Sequence, residues 1–113
     1  MAISFEGNRD ELGRVFLALA DPTRRRLVEE LRDGDATVGE LAVRLGVATP
    51  SVSKHLTVLE GAGLVSRERE AQWRRCRLER QAFTRLREWA DHYESLWTGS
   101  LDRLDARLRQ EQA

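Results

Sequence analysis

Ser51, Ser53 and His55 stand within five consecutive residues, with Lys54 among them and Thr49 and Thr57 on either side. Two hydroxyls beside an imidazole invite a nucleophile–base reading. The rest of the pattern does not support it. No acid is placed in the sequence to orient the imidazole, and no glycine elbow presents either serine. There is no glycine-rich phosphate loop and no metal-ligand set, so no catalytic residue, cofactor or resident metal is expected. The same side chains suit another chemistry. Short hydroxyls and one cation let a helix axis approach a duplex and reach base edges and phosphates. On a helical wheel Val52, Leu56 and Leu59 fall on one side. Pro50, Ser51, Ser53, Lys54, Thr57 and Val58 fall on the other, with His55 at the flank. A merely solvated face would look alike on an isolated helix, so the neighbouring elements decide.

Those elements read as follows. A first helix over about 9–20 carries Leu12, Val15, Phe16 and Leu19 at spacings of three and four. Asp21-Pro22 caps and opens a second helix, which runs to about Asp33 and stops at Gly34. Thr37 and Glu40 form a capping box for a third, with Val38, Leu41 and Leu45 inside and Gly46 at its end. Thr49 is the expected cap of the fourth, Pro50 to Gly61. Two short helices joined by a glycine turn over 37–61 make a helix-turn-helix. The period then changes from helix to strand. Residues 64–69 and 73–78 around Glu70-Ala71-Gln72 read as a β-hairpin. From about Arg80 to 110 a helical stripe returns, with Phe83, Leu86, Ala90, Tyr93, Trp97, Leu101, Leu104 and Leu108. The expected class is mostly α with a small β-hairpin, in the order α-α-α-α-β-β-α, as one domain.

The hairpin is loaded with arginine. Val65, Arg67 and Arg69 share one strand face, as do Trp73, Arg75 and Arg77. Beside a helix-turn-helix such a hairpin reads as a wing over phosphates or the minor groove. The candidate DNA contacts are therefore Thr49, Ser51, Ser53, Lys54, His55 and Thr57 on the helix. On the hairpin they are Arg67, Arg69, Gln72, Arg74 and Arg75. Charge distribution agrees. The 113 residues have zero formal net charge, but 48–80 hold seven bases against four acids, net +3. A local patch is what a phosphate backbone feels.

Composition bounds the rest. The chain is 41% hydrophobic and 34% charged, the balance of a soluble globular domain. No apolar run approaches the ~18 residues of a membrane span. The N-terminal stretch carries Glu6 and Asp10 and is no secretory signal. One cysteine, Cys76, excludes an internal disulfide, though not an intermolecular one. A cytoplasmic protein is expected. Eighteen of its nineteen basic residues are Arg, which points to a GC-rich bacterial genome.

Three motifs carry a resemblance to a known family. They are Leu17-Ala18-Leu19-Ala20-Asp21-Pro22-Thr23-Arg24, Gly39-Glu40-Leu41-Ala42, and Ser51-Val52-Ser53-Lys54-His55-Leu56 followed by Leu59 and Ala62-Gly63-Leu64-Val65. Over about residues 12–79 the chain resembles the ArsR/SmtB-type winged helix-turn-helix repressors. The aromatic-rich last helix resembles a non-metal branch of them. The resemblance implies a homodimeric bacterial repressor of a palindromic operator. Arsenic and cadmium sensors of the family carry two cysteines where this chain has Thr37 and Gly39. Its zinc sensors pair His and acids along the last helix, where this chain has His92 alone, with Glu88, Asp91 and Asp102 nearby. The wing tip, often Gly-Arg in the family, is Ala71-Gln72.

The last helix has a stripe wider than a small domain covers. Trp89, Tyr93, Trp97, Leu101, Leu104 and Leu108, with Leu12 and Phe16 of the first helix, are the expected homodimer interface. The rival reading is a winged helix kept as a protein-interaction module without specific DNA binding. The arginine-rich hairpin and the polar helix face count against it.

Overall fold

The computed structural model describes residues 2–112, with side-chain surroundings for 10–94, 96 and 98–112. The elements run α1 (Ala2–Leu19), α2 (Pro22–Leu31), β1 (Ala36–Thr37), α3 (Val38–Leu45), α4 (Thr49–Gly61), β2 (Val65–Glu70), β3 (Trp73–Leu78) and α5 (Arg80–Gln112). They divide into two compact units, Met1–Phe83 and Thr84–Ala113.

The first unit holds the core. Leu27 and Leu31 of α2, Leu41 and Leu45 of α3, and Val52, Leu56 and Leu59 of α4 are buried, with Leu64, Val65 and Cys76 of the sheet region. The face of α4 that the wheel assigned to the interior is therefore the buried one. On α1, Val15 and Ala18 are buried, whereas Phe16 is exposed.

Local chemistry sets the helix ends. Asp21 Oδ2 accepts from the Arg24 backbone N–H at 3.0 Å and caps α2. Thr37 and Glu40 close the capping box of α3, at 3.1 Å and 3.0 Å. Gly46 ends α3 at φ 67°, in the left-handed region that a Cβ disfavours. The cap of α4 is Ala48, without a side-chain bond, and Thr49 already lies inside the helix. That corrects the expected Thr49 cap. Proline lacks only an N–H that the first turn leaves unpaired, so Pro50 fits more than one first-turn position. Likewise α2 stops at Leu31 rather than Asp33, α1 begins at Ala2 rather than about Arg9, and α5 extends to Gln112.

The sheet has three antiparallel strands in the order β1-β3-β2. Val65 pairs with Leu78, Arg67 with Cys76, and Arg69 with Arg74, while Ala36 pairs with Cys76 from the other side. The two-residue β1 was not expected from sequence. A strand that short has no alternation to read. Cys76 sits on the central strand with zero exposure, and burial pushes its thiol up. A disulfide to another chain would require this sheet to open.

In the second unit, α5 continues from Thr84. Trp89 and Tyr93 pair through tilted rings 5.2 Å apart. Trp97 lies on α5, and its side chain is outside the described residues.

Candidate nucleic-acid interface

The exposed side of α4 starts at its first turn. Thr49 and Pro50 are exposed, and Ser51 is half-buried. The Ser51 and Val52 backbone N–H groups donate to Ala48 O at 3.0 Å and 3.1 Å, which closes the turn. Lys54 projects one turn further on and is exposed. Its ammonium makes no ion pair with any described residue.

His55 turns away from this face. Arg24 Nη1 stands 3.4 Å from His55 Nδ1, within hydrogen-bond reach. The same guanidinium donates to Ala18 O at 2.7 Å and Leu17 O at 3.1 Å. Arg24 thus ties the end of α1 and the start of α2 to α4. The sequence reading missed this bridge, although Arg24 lies three residues after the cap Asp21. Asp21 Oδ2 stands 3.9 Å from His55 Nδ1, too far for a hydrogen bond. An acid is therefore near the imidazole, but at that distance it does not orient the ring through a hydrogen bond. No hydrogen bond joins His55 to Ser51 or Ser53 among the described residues.

Ser53 and Thr57 meet the wing. Arg67, on β2, donates to Ser53 Oγ at 3.3 Å and to Thr57 Oγ1 and Glu60 Oε1, each at 3.0 Å. Its side chain is only 11% exposed.

The register divides the wing's arginines between two faces. Arg67, Arg69 and Arg74 share the face of Val65 and Cys76, because Arg69 is paired with Arg74 across the strands. Arg75 and Arg77 lie on the other face, opposite Glu68 and Ser66, and each reaches an acid of β2. Arg75 donates to Glu70 at 3.0 Å, and Arg77 is bound to Glu68. Arg69 and Arg74 are exposed and, among the described residues, have no acidic partner. The tip is Ala71-Gln72, both exposed, and Ala71 takes φ 54°.

The eleven sequence candidates thus form three groups. Thr49, Ser51, Lys54, Arg69, Gln72 and Arg74 are not held by neighbouring side chains in any described bond. Ser53, Thr57 and Arg67 form one internal network. His55 and Arg75 are engaged with Arg24 and Glu70. For Arg67 and Arg75 the signal was present in the acids Glu60 and Glu70. Pairing Arg75 with Glu70 needed the register of the strands, and pairing Arg67 with Glu60 needed the packing of β2 on α4.

For metal chemistry, the Thr37 hydroxyl is already used as a helix cap, and Gly39 offers no side chain. Among the described residues no three His, Cys, Asp or Glu side chains converge. No helix among them is long and apolar enough to cross a membrane.

The family model described as bacterial regulatory protein, arsR family, matches residues 21–67, from the cap of α2 to Arg67. The HTH-type transcriptional regulator Rv2034 of Mycobacterium tuberculosis is 45% identical over 89 residues, 78% of this chain and 79% of that protein. The transcriptional repressor SdpR of Bacillus subtilis is 39% identical over 62 residues, 55% of this chain and 69% of that protein. Among solved structures, Mb0332 from Mycobacterium bovis matches with a TM-score of 0.64 and 27% identity, covering 77% of this chain and 82% of that one. It is described as a homodimeric winged helix-turn-helix DNA-binding domain. With its helix-turn-helix, its three-stranded winged sheet and these relatives, the chain belongs to the ArsR family of DNA-binding transcriptional regulators.

Proposed function

We propose that the protein is a homodimeric repressor that reads a palindromic operator through α4, with the β2–β3 wing on the flanking backbone. The observation that carries this reading is that Lys54 on α4 and Arg69 and Arg74 on the wing are exposed and, among the described residues, have no acidic partner. Free cations at a helix-turn-helix are what phosphate contact requires, and short hydroxyls are what close approach to base edges requires. Thr49 and Ser51 are the first base readers, and Ser53 the next. Gln72 lies at the tip to meet the backbone beside the site.

The dimer follows from α5. Trp89, Tyr93, Leu101, Leu104 and Leu108 are each between 41% and 59% exposed in the single chain. At about 25 cal/mol per Å², covering several hundred Å² of such surface is worth several kcal/mol before association costs. The SdpR relative is named a repressor, and Mb0332 is homodimeric. Metal control through the helix before α4 is not part of this function, because Thr37 and Gly39 supply no thiolate there. No catalytic step is assigned.

Selection of bound duplexes from a random pool tests the reading. The expected product is a palindrome whose half-sites are centred roughly one helical turn, about 34 Å, apart. Binding without sequence enrichment would overturn it and favour a bare interaction module.

A further inference from the structure

Arg67 leaves its strand to reach back to α4, and its three partners define a hydrogen-bond polarity. A hydroxyl has one proton and two lone pairs. Thr57 accepts from Arg67 and gives its own proton to Ser53 O at 3.0 Å, so its proton is committed. Ser53 Oγ accepts from the same guanidinium, and no described residue accepts its proton. The Arg67 N–H occupies one lone pair of Ser53 Oγ, so a second incoming donor would have to share that oxygen, whereas the proton is unshared. The carboxylate of Glu60 balances that cation at 3.0 Å, which leaves Arg67 with little charge to offer a phosphate.

We infer that Arg67 is a specificity-determining residue: it holds Ser53 as a hydrogen-bond donor, so that this position of α4 selects a major-groove acceptor. The acceptors are guanine N7 and O6, adenine N7 and thymine O4. The exocyclic amino groups of cytosine and adenine are disfavoured, because they would have to share the Ser53 oxygen with the Arg67 N–H. Arg67 acts through Ser53 and touches no DNA itself. This inference rests on the reading of α4 as the base-reading helix.

The test is duplex selection from a random pool, with salt titrations on the selected duplex, for four proteins. They are the wild type, Ser53→Ala, Arg67→Lys, and the paired variant Arg67→Gln with Glu60→Gln. Lysine keeps the charge and the Glu60 partner but lacks the rigid planar fork that sets Nη1 on Ser53 and Nη2 on Thr57, so the wing stays closed while the polarity is loosened. The paired variant keeps the local charge balance. The expected result is that Ser53→Ala, Arg67→Lys and the paired variant all lose preference at the same base pair, by about fivefold to tenfold. The salt slope of the paired variant should match the wild type. A slope lower by about one with preference intact would make Arg67 a phosphate ligand and overturn the inference. Preference lost in Ser53→Ala but kept in both Arg67 variants would overturn it while leaving α4 as the reader. Preference unchanged in Ser53→Ala itself would overturn both.

Discussion

Lys54 and Arg74 carry exposed charges that no described acid neutralises, whereas Arg75 is held by Glu70 at 3.0 Å. The distinction is measurable. Each phosphate contact contributes about one unit to the dependence of log affinity on log salt. Lys54→Ala and Arg74→Ala should each lower that slope by about one on any duplex, as read by anisotropy titration across salt concentrations. Arg75→Ala should leave it unchanged, because the charge it removes is already paired. An equal loss of slope in all three would mean that the ion pair to Glu70 opens on DNA. Residue types alone did not separate these arginines. Arg67, Arg69, Arg74 and Arg75 look equivalent until the register puts them on different faces and beside different acids.

At the scale of elements, the caps and the wing turn give two predictions. The Arg24 backbone N–H holds the Asp21 carboxyl below its ordinary value of 3.8, and the Thr37 backbone N–H does the same for Glu40 below 4.5. A depressed folded value means that each group's contribution is present above the ordinary value and is lost as pH falls through the folded one. The stability difference between the wild type and Asp21→Asn should therefore shrink below about pH 4, as measured by denaturant unfolding across pH. A constant difference down to pH 2 would refute the cap's ionic part. In the wing, Ala71 takes φ 54°, a left-handed position where a Cβ costs roughly 1 kcal/mol. Ala71→Gly should raise stability by up to about 0.5 kcal/mol after the entropy lost to glycine. Destabilisation would show that the turn is not strained. These elements were largely legible because caps and glycines are local signals: Asp21, Thr37 with Glu40, and Gly46 mark ends that the structure keeps. The pairing of β1 with β3, the Arg24 bridge and the Arg67 network were not legible. Each depends on contact between segments far apart in sequence, which periodicity does not encode.

For the whole molecule, the proposed function needs one reading helix per chain in a two-fold assembly. Tyr93 and Leu101 lie on the exposed stripe of α5, and a carboxylate at each would be desolvated if that stripe is covered. Tyr93→Asp with Leu101→Asp should give a folded monomer in sedimentation velocity, with unchanged helicity by circular dichroism. A dimer surviving both changes would move the interface elsewhere. Linking two readers raises affinity for a paired site by about 10²–10⁴ over one reader alone, provided that the geometry lets both engage. The most direct measurement is therefore sedimentation of the wild type on the selected duplex, alongside a duplex truncated to one half-site. The expected result is two chains on the full duplex and a loss of at least about a hundredfold in affinity on the half. One chain bound to the full duplex, with equal affinity for the half, would contradict it.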